Sequence, residues 1–133
     1  MVSARTVLVV EDDEALRGLI CRLLDSQDYN VLCSGTAMEA IQLASDPTER
    51  ADLLLTDLGL PGASGYQLAG VLLQLQPELK VIIMSGYAEA DIQEPPPGGR
   101  RLPHLVKPFA FEDLLRLVRK LLEPSAAPSV DVG

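Results

Sequence analysis

Residues 6–24 read TVLVVEDDEALRGLICRLL, and three kinds of pattern follow one another within them. Thr6–Val10 is an unbroken apolar run, the signature of a strand buried on both faces. Glu11, Asp12 and Asp13 interrupt it. Leu16, Leu19, Ile20, Leu23 and Leu24 then recur at helical spacing. Asp12 or Asp13 stands where a helix N-cap belongs. A strand covered on both faces and running straight into an amphipathic helix is the opening half of a parallel crossover unit.

The same alternation continues outward. Asn30–Cys33 reads as a second strand. Thr36 and Glu39 fit a capping box ahead of Ala40, Ile41, Leu43 and Ala44. Asp46–Pro47 marks a loop. Leu53–Thr56 is a third strand, with Asp57 at its end. Gly59, Pro61, Gly62 and Gly65 make the next stretch a loop. Ser64 with Gln67 opens a helix to about Leu75, and Lys80–Met84 is a fourth strand. Leu102–Val106 is a fifth, and Pro103 within it predicts an edge position. Phe111–Leu122 closes with a helix carrying Leu114, Leu115, Val118, Leu121 and Leu122 on its apolar face. Strand and helix alternate throughout, so the expected class is α/β: a doubly wound, five-stranded parallel sheet.

One segment breaks the alternation. Where the fourth helix belongs, residues 94–101 read EPPPGGRR. Each proline lacks an N–H and pushes its predecessor out of the helical region. The fourth helix is therefore expected to be absent or shortened to a turn over Ala88–Gln93, with 94–101 an extended, mobile loop. After Glu123 the polar, proline-containing residues 124–133 read as a flexible tail or linker, leaving residues 1–123 as one domain.

Composition narrows the function. The 133 residues suit a single core, and 47% hydrophobic residues suffice to fill it. With only 4% aromatics, that core is built from Leu, Val, Ile and Ala. A formal net charge of −8 argues against nucleic acid as a partner and leaves room for a cation or a basic protein. Cys21 and Cys33 have neither zinc-site nor redox-motif spacing and are expected to be buried free thiols. No apolar run approaches the ~18 residues of a membrane span, and no signal-peptide pattern opens the chain. The expected setting is cytoplasmic, with no membrane contact by this segment.

In an open α/β sheet, ligands bind beyond the carboxyl ends of the strands. Those ends carry Glu11, Asp12 and Asp13 after the first strand, Asp57 after the third, Ser85 after the fourth and Lys107 after the fifth. Singly, each has an ordinary explanation: a helix cap, a turn aspartate, a Ser-Gly turn, a surface lysine. Jointly they suit phosphoryl transfer to a carboxylate. Mg2+ takes oxygen ligands and lets neighbouring acids stay ionised together. Asp57 is the candidate nucleophile, Lys107 a countercharge for the equatorial phosphoryl oxygens, and Ser85 a hydrogen-bond donor to one of them.

The blocks VLVVEDDEALR, LLLTDLGLPGASGYQL, VIIMSGYAE and LVKPF, spread through residues 6–109, resemble the signature blocks of response-regulator receiver domains. That resemblance implies a flavodoxin-like fold with strand order 2-1-3-4-5. It implies phosphorylation of Asp57 by a histidine kinase or histidine phosphotransfer protein, and a downstream protein target. It implies Mg2+ bound by Asp12 and Asp57, by Glu11 mainly through water, and by the backbone carbonyl of Gly59. Ser85 matches the switch hydroxyl and Lys107 the phosphate-binding lysine, with a cis Lys107–Pro108 bond. Gly59 and Tyr87 match positions that tune loss of the phosphoryl group. His104 departs from the family, standing where a switch aromatic is usual and adding a group that titrates near neutrality. The chain resembles either a stand-alone receiver or the receiver of a hybrid sensor kinase, with a monomer expected. A haloacid-dehalogenase-type phosphatase is the alternative, but it needs a second acid where Gly59 stands. A dinucleotide-binding turn would need glycines where EDDEA stands.

Overall fold

The computed structural model describes residues 4–86 and 95–123. Its elements are β1 (Thr6–Val10), α1 (Glu14–Ser26), β2 (Asn30–Ser34), α2 (Ala37–Ala44), β3 (Leu53–Asp57), β4 (Gly59–Leu60), β5 (Ala63–Ser64), α3 (Gly65–Leu75), β6 (Lys80–Ser85), β7 (His104–Val106) and α4 (Phe111–Leu122). The main sheet is parallel, ordered β2-β1-β3-β6-β7. Counting its strands alone, this is the 2-1-3-4-5 order that the receiver resemblance implies. β4 and β5 form a separate antiparallel hairpin inside the expected glycine/proline loop, turned at Gly62 with φ +78°.

Strand alternation sorts the apolar residues to two faces. Val7, Val9, Leu53, Leu55, Ile82 and Met84 pack with Ile20 and Leu24 of α1 and with Leu114 and Val118 of α4. Leu8, Val10, Leu54, Val81 and Ile83 pack with Ala40 of α2 and with Leu68 and Leu72 of α3. The central strand β3 is buried along its whole length, so the chemistry at its end rests on a sealed platform.

The helix starts follow their sequence signals, with adjustments. Asp13 rather than Asp12 caps α1, its Oδ1 accepting from Leu16 N–H at 3.1 Å. Ser64 and Gln67 form both halves of a capping box on α3. Thr36 makes only its own half: Glu39 instead accepts from the Gly35 N–H at 3.1 Å and the Ser34 hydroxyl at 3.4 Å. The expected strand from Leu102 begins only at His104, because Pro103 has no N–H for the ladder, though its carbonyl accepts from Ile83 N–H at 2.8 Å.

No α-helix stands between β6 and β7 among the described residues. Pro97–Gly99 form a single 3-10 turn rather than the fully extended loop expected, and Gly98 and Gly99 have φ of +63° and +70°. A proline fits the first position of such a turn, and left-handed glycines end it at once. The expected turn over Ala88–Gln93 and the tail 124–133 lie outside the described residues.

The cysteines correct the sequence reading. Cys21 on α1 and Cys33 on β2 are joined as a disulfide, with Cα atoms 6.8 Å apart. They are not buried free thiols: Cys33 is exposed and Cys21 half-buried. Their spacing of 12 residues carries no motif, and only the packing of α1 across β2 brings them together.

Gly65, the first residue of α3, tests how tightly the platform is held. A Cβ there would lie 2.2 Å from the Asp57 carbonyl oxygen, a backbone atom that cannot swing aside. A Cβ on Gly18 would meet nothing within 4 Å. Urea denaturation should therefore show Gly65→Ala losing about 1–3 kcal/mol and Gly18→Ala gaining up to about 1 kcal/mol from helix propensity.

Candidate functional site

Parallel register places the charged strand ends side by side. Val10 pairs with Thr56 and Asp57 with Met84, so Glu11, next after Val10, arrives beside Asp57. Ser85 pairs with Val106, which brings Lys107 to the same edge. Lys107 Nζ stands 2.6 Å from Asp57 Oδ1 and donates to Glu11 Oε1 at 2.9 Å. Carboxylate oxygens of Glu11, Asp12 and Asp57 lie within 4.8 Å of one another.

Burial makes this cluster electrostatically tense. The side chains of Glu11 and Asp57 are 1% and 6% exposed, that of Lys107 25%. Burial first, and then the Glu11 carboxyl beside it, push the Asp57 carboxyl up to about 8, against the opposing pull of Lys107. Burial alone would lower Lys107, but its bonds to Asp57 and Glu11 outweigh that and hold the ammonium above its ordinary value.

Neighbouring groups fix the acids in place. Asp13 donates its N–H to Glu11 Oε2 at 3.0 Å while capping α1, so it is committed to structure. Asp12 is exposed and belongs to the carboxylate cluster. Arg17, which the sequence reading passed over, donates from Nη1 to the Glu11 carbonyl at 2.8 Å. Its signal was its place on the first turns of α1, facing back toward the strand end. The Thr56 hydroxyl donates to the Asp57 carbonyl at 2.9 Å, and Leu58 N–H donates to the Met84 carbonyl at 2.8 Å.

The remaining expected positions are more dispersed. Ser85 closes β6, half-buried, its carbonyl accepting from Lys107 N–H at 2.7 Å. Gly59 opens the β4–β5 hairpin two residues after Asp57. The Lys107–Pro108 bond is cis. Tyr87 lies outside the described residues. His104, on the exposed edge of β7, has Nδ1 2.9 Å from the Leu102 carbonyl and Nε2 3.2 Å from the Tyr66 hydroxyl of α3. A carbonyl only accepts, so Nδ1 donates to it, which leaves Nε2 to pair with the Tyr66 hydroxyl.

The acid cluster fits a divalent cation. Among the described residues, the three carboxylates of the cluster face one ammonium, Lys107 Nζ, at 2.6 Å from Asp57 Oδ1 and 2.9 Å from Glu11 Oε1. Oxygen donors of this number and charge are what Mg2+ takes, with water completing its shell.

A doubly wound parallel sheet with acids, a hydroxyl and a lysine gathered at its carboxyl edge defines a class of phosphate-handling α/β signalling domain. The chain belongs to the response regulator receiver domain family, whose profile matches residues 7–119. It is 32% identical over 118 residues to the sensor kinase CckA of Brucella abortus (strain 2308), covering 89% of this chain but only 12% of that protein. It is 30% identical to the sporulation initiation phosphotransferase F of Bacillus subtilis (strain 168), covering 87% and 92% of the two chains. Among solved structures it superposes on the response regulator TrrA of Thermotoga maritima in complex with Mg(2+)-BeF, at TM-score 0.74 and 27% identity over 89% and 99% of the chains. The chain is thus a receiver domain of two-component systems, and the phosphatase alternative has no support.

The raised Asp57 carboxyl has a consequence for stability. In the unfolded chain this group titrates near ~3.9; in the fold it holds its proton to about 8. Stability present at low pH is therefore lost as pH rises between those values. In metal-free buffer Asp57→Asn should be more stable than the parent by about 1–3 kcal/mol at pH 8. The gap should vanish near pH 4, and thermal melts with a chelator across that range check it.

Proposed function

We propose that Asp57 accepts a phosphoryl group from the phosphohistidine of a histidine kinase or histidine phosphotransfer protein. The observation that carries this reading is the buried Asp57 carboxylate, with Lys107 Nζ at 2.6 Å and the carboxylates of Glu11 and Asp12 within 4.8 Å. A carboxylate oxygen of Asp57 forms the new P–O bond as the P–N bond of the donor breaks. The bonding pair leaves with the imidazole nitrogen, which takes up a proton. Lys107 stands where charge gathers on the equatorial oxygens, and Ser85 supplies a hydroxyl at the neighbouring strand end.

Asp12 and Asp57 are the direct Mg2+ ligands in this reading, with the Gly59 carbonyl; Glu11, paired with Lys107, acts through water. When bound, the ion supplies positive charge that keeps Asp57 ionised and offsets charge on the transferred group. Ser85 and His104 form the switch, and Gly59 and Tyr87 tune the rate of phosphoryl loss. Residues 1–123 act as the domain, with 124–133 a tail or linker. That TrrA was captured with Mg(2+)-BeF supports the ligand assignment by similarity.

A donor protein has a place to seat. Beside Lys107 lies an apolar cavity of about 510 Å3 lined by Leu16, Pro108, Phe109 and Phe111. Apolar anchorage next to a charged acceptor suits transient protein contact. The relatives include both a sensor kinase far longer than this chain and a protein of nearly its own length. The receiver is either a stand-alone regulator or the module of a hybrid kinase, read here as cytoplasmic with a monomer favoured. Among the described residues no helix is long and apolar enough to cross a membrane.

Two measurements test the site. Asp57→Asn should fold and lose all acid-stable labelling by acetyl phosphate in Mg2+; undiminished labelling would overturn the assignment. Titration of Mg2+ should show Asp12→Ala weakening binding by tenfold or more, on the order of 1.4 kcal/mol, while Asp13→Ala mainly destabilises α1. Equal losses of affinity would place the ligand on the wrong aspartate.

A further inference from the structure

At the opposite end of the sheet from Asp57, a second site is assembled by the proline–glycine segment that leads into β7. Lys80 begins β6 and Asp57 pairs with Met84 four residues on, roughly 13 Å away at strand rise. There a cavity of about 250 Å3 opens between the end of α3 and the segment leading into β7. Its walls are part apolar, with Leu73, Leu79, Val81 and Leu102 among them, and part polar. Its cationic groups are Lys80, Arg100 and Arg101, all exposed.

Among the described residues these cations have no acidic partners. The single acid lining the cavity, Glu78, is taken by Arg50 across the loop between α2 and β3. The local charge also runs against that of the chain. Three cations and one acid line the cavity, Lys80, Arg100 and Arg101 against Glu78, within a chain of net −8.

The geometry of the strap explains how the site forms. The prolines forbid a helix, and Pro97 packs on α3, where a Cβ on Gly70 would lie 3.9 Å from its side chain. Gly98 and Gly99 turn the chain in left-handed conformation, and Arg100 leaves the turn extended toward β7. The two arginines are thereby delivered to the cavity.

We propose that this cavity docks a short acidic segment of a partner protein, an apolar side chain entering the pocket while its carboxylates meet Arg100, Arg101 and Lys80. The volume is below the roughly 300 Å3 of the smallest usual small-molecule sites, so it suits one or two side chains. Guanidinium groups match carboxylates in paired hydrogen bonds. A long polyanion is disfavoured by the net charge of the whole chain. The site is separate from the phosphoacceptor edge and does not depend on its assignment.

A fluorescein-labelled peptide alternating Glu and Leu, titrated with the full chain and followed by anisotropy, tests the proposal. Binding should weaken with salt, and Arg100→Glu with Arg101→Glu should weaken it by tenfold or more while labelling by acetyl phosphate is retained. Arg50→Ala, which releases Glu78 to compete for the same cations, should weaken it severalfold. Amide shifts of labelled protein should cluster at Lys80, Val81 and Leu102. Equal affinity in the double variant, no binding of the peptide, or shifts centred on Glu11 and Asp57 would overturn the site. Displacement by equimolar ATP or inorganic phosphate would overturn the acidic peptide as its occupant.

Discussion

A carboxylate buried at the end of a fully buried strand is the constraint around which this molecule is arranged. Asp57 closes β3 in a place where an unpaired charge costs several kcal/mol. Lys107 supplies the countercharge from the far side of β6, and Glu11 joins it from β1. Three strands contribute, so the balance exists only while they keep register. It is also incomplete. Glu11, Asp12 and Asp57 outnumber the lysine, and the excess negative charge both raises the Asp57 carboxyl and makes room for a cation.

Holding that cluster takes more structure than the reacting groups themselves. Asp13 ties the start of α1 to Glu11, and Arg17 ties its next turn to the Glu11 carbonyl. On the other side the backbone of Gly65 presses against Asp57, and its N–H donates to the Leu58 carbonyl at 2.6 Å. The start of α1 and the start of α3 thus grip the acidic edge from opposite faces of the sheet.

The edge strand β7 joins the two ends of the molecule. Its last residue adjoins Lys107, its first is His104 bonded to Tyr66 of α3, and the proline strap precedes it. β7 thus touches the acidic edge at one end and α3 at the other. The strap leaves Arg100 and Arg101 exposed beside Lys80 at the far end of the sheet.

Much of this was legible in the residues. The apolar runs, the capping signals and the prolines of 95–97 determine parallel α/β architecture and a fourth helix shortened or absent, because each acts through local backbone preference. The acids, the serine and the lysine at strand ends announce the site, because sheet topology gathers strand ends. Other features belong to the tertiary structure alone. Which aspartate caps and which joins the cluster is decided by the turn after β1. The Cys21–Cys33 link, the grip of Arg17 and the glycine contact at Asp57 all join groups whose sequence spacing carries no pattern. The elevated Asp57 carboxyl depends on burial and on a neighbour 46 residues away along the chain. Burial and through-space charge are properties of packing, and no stretch of sequence read by itself contains them.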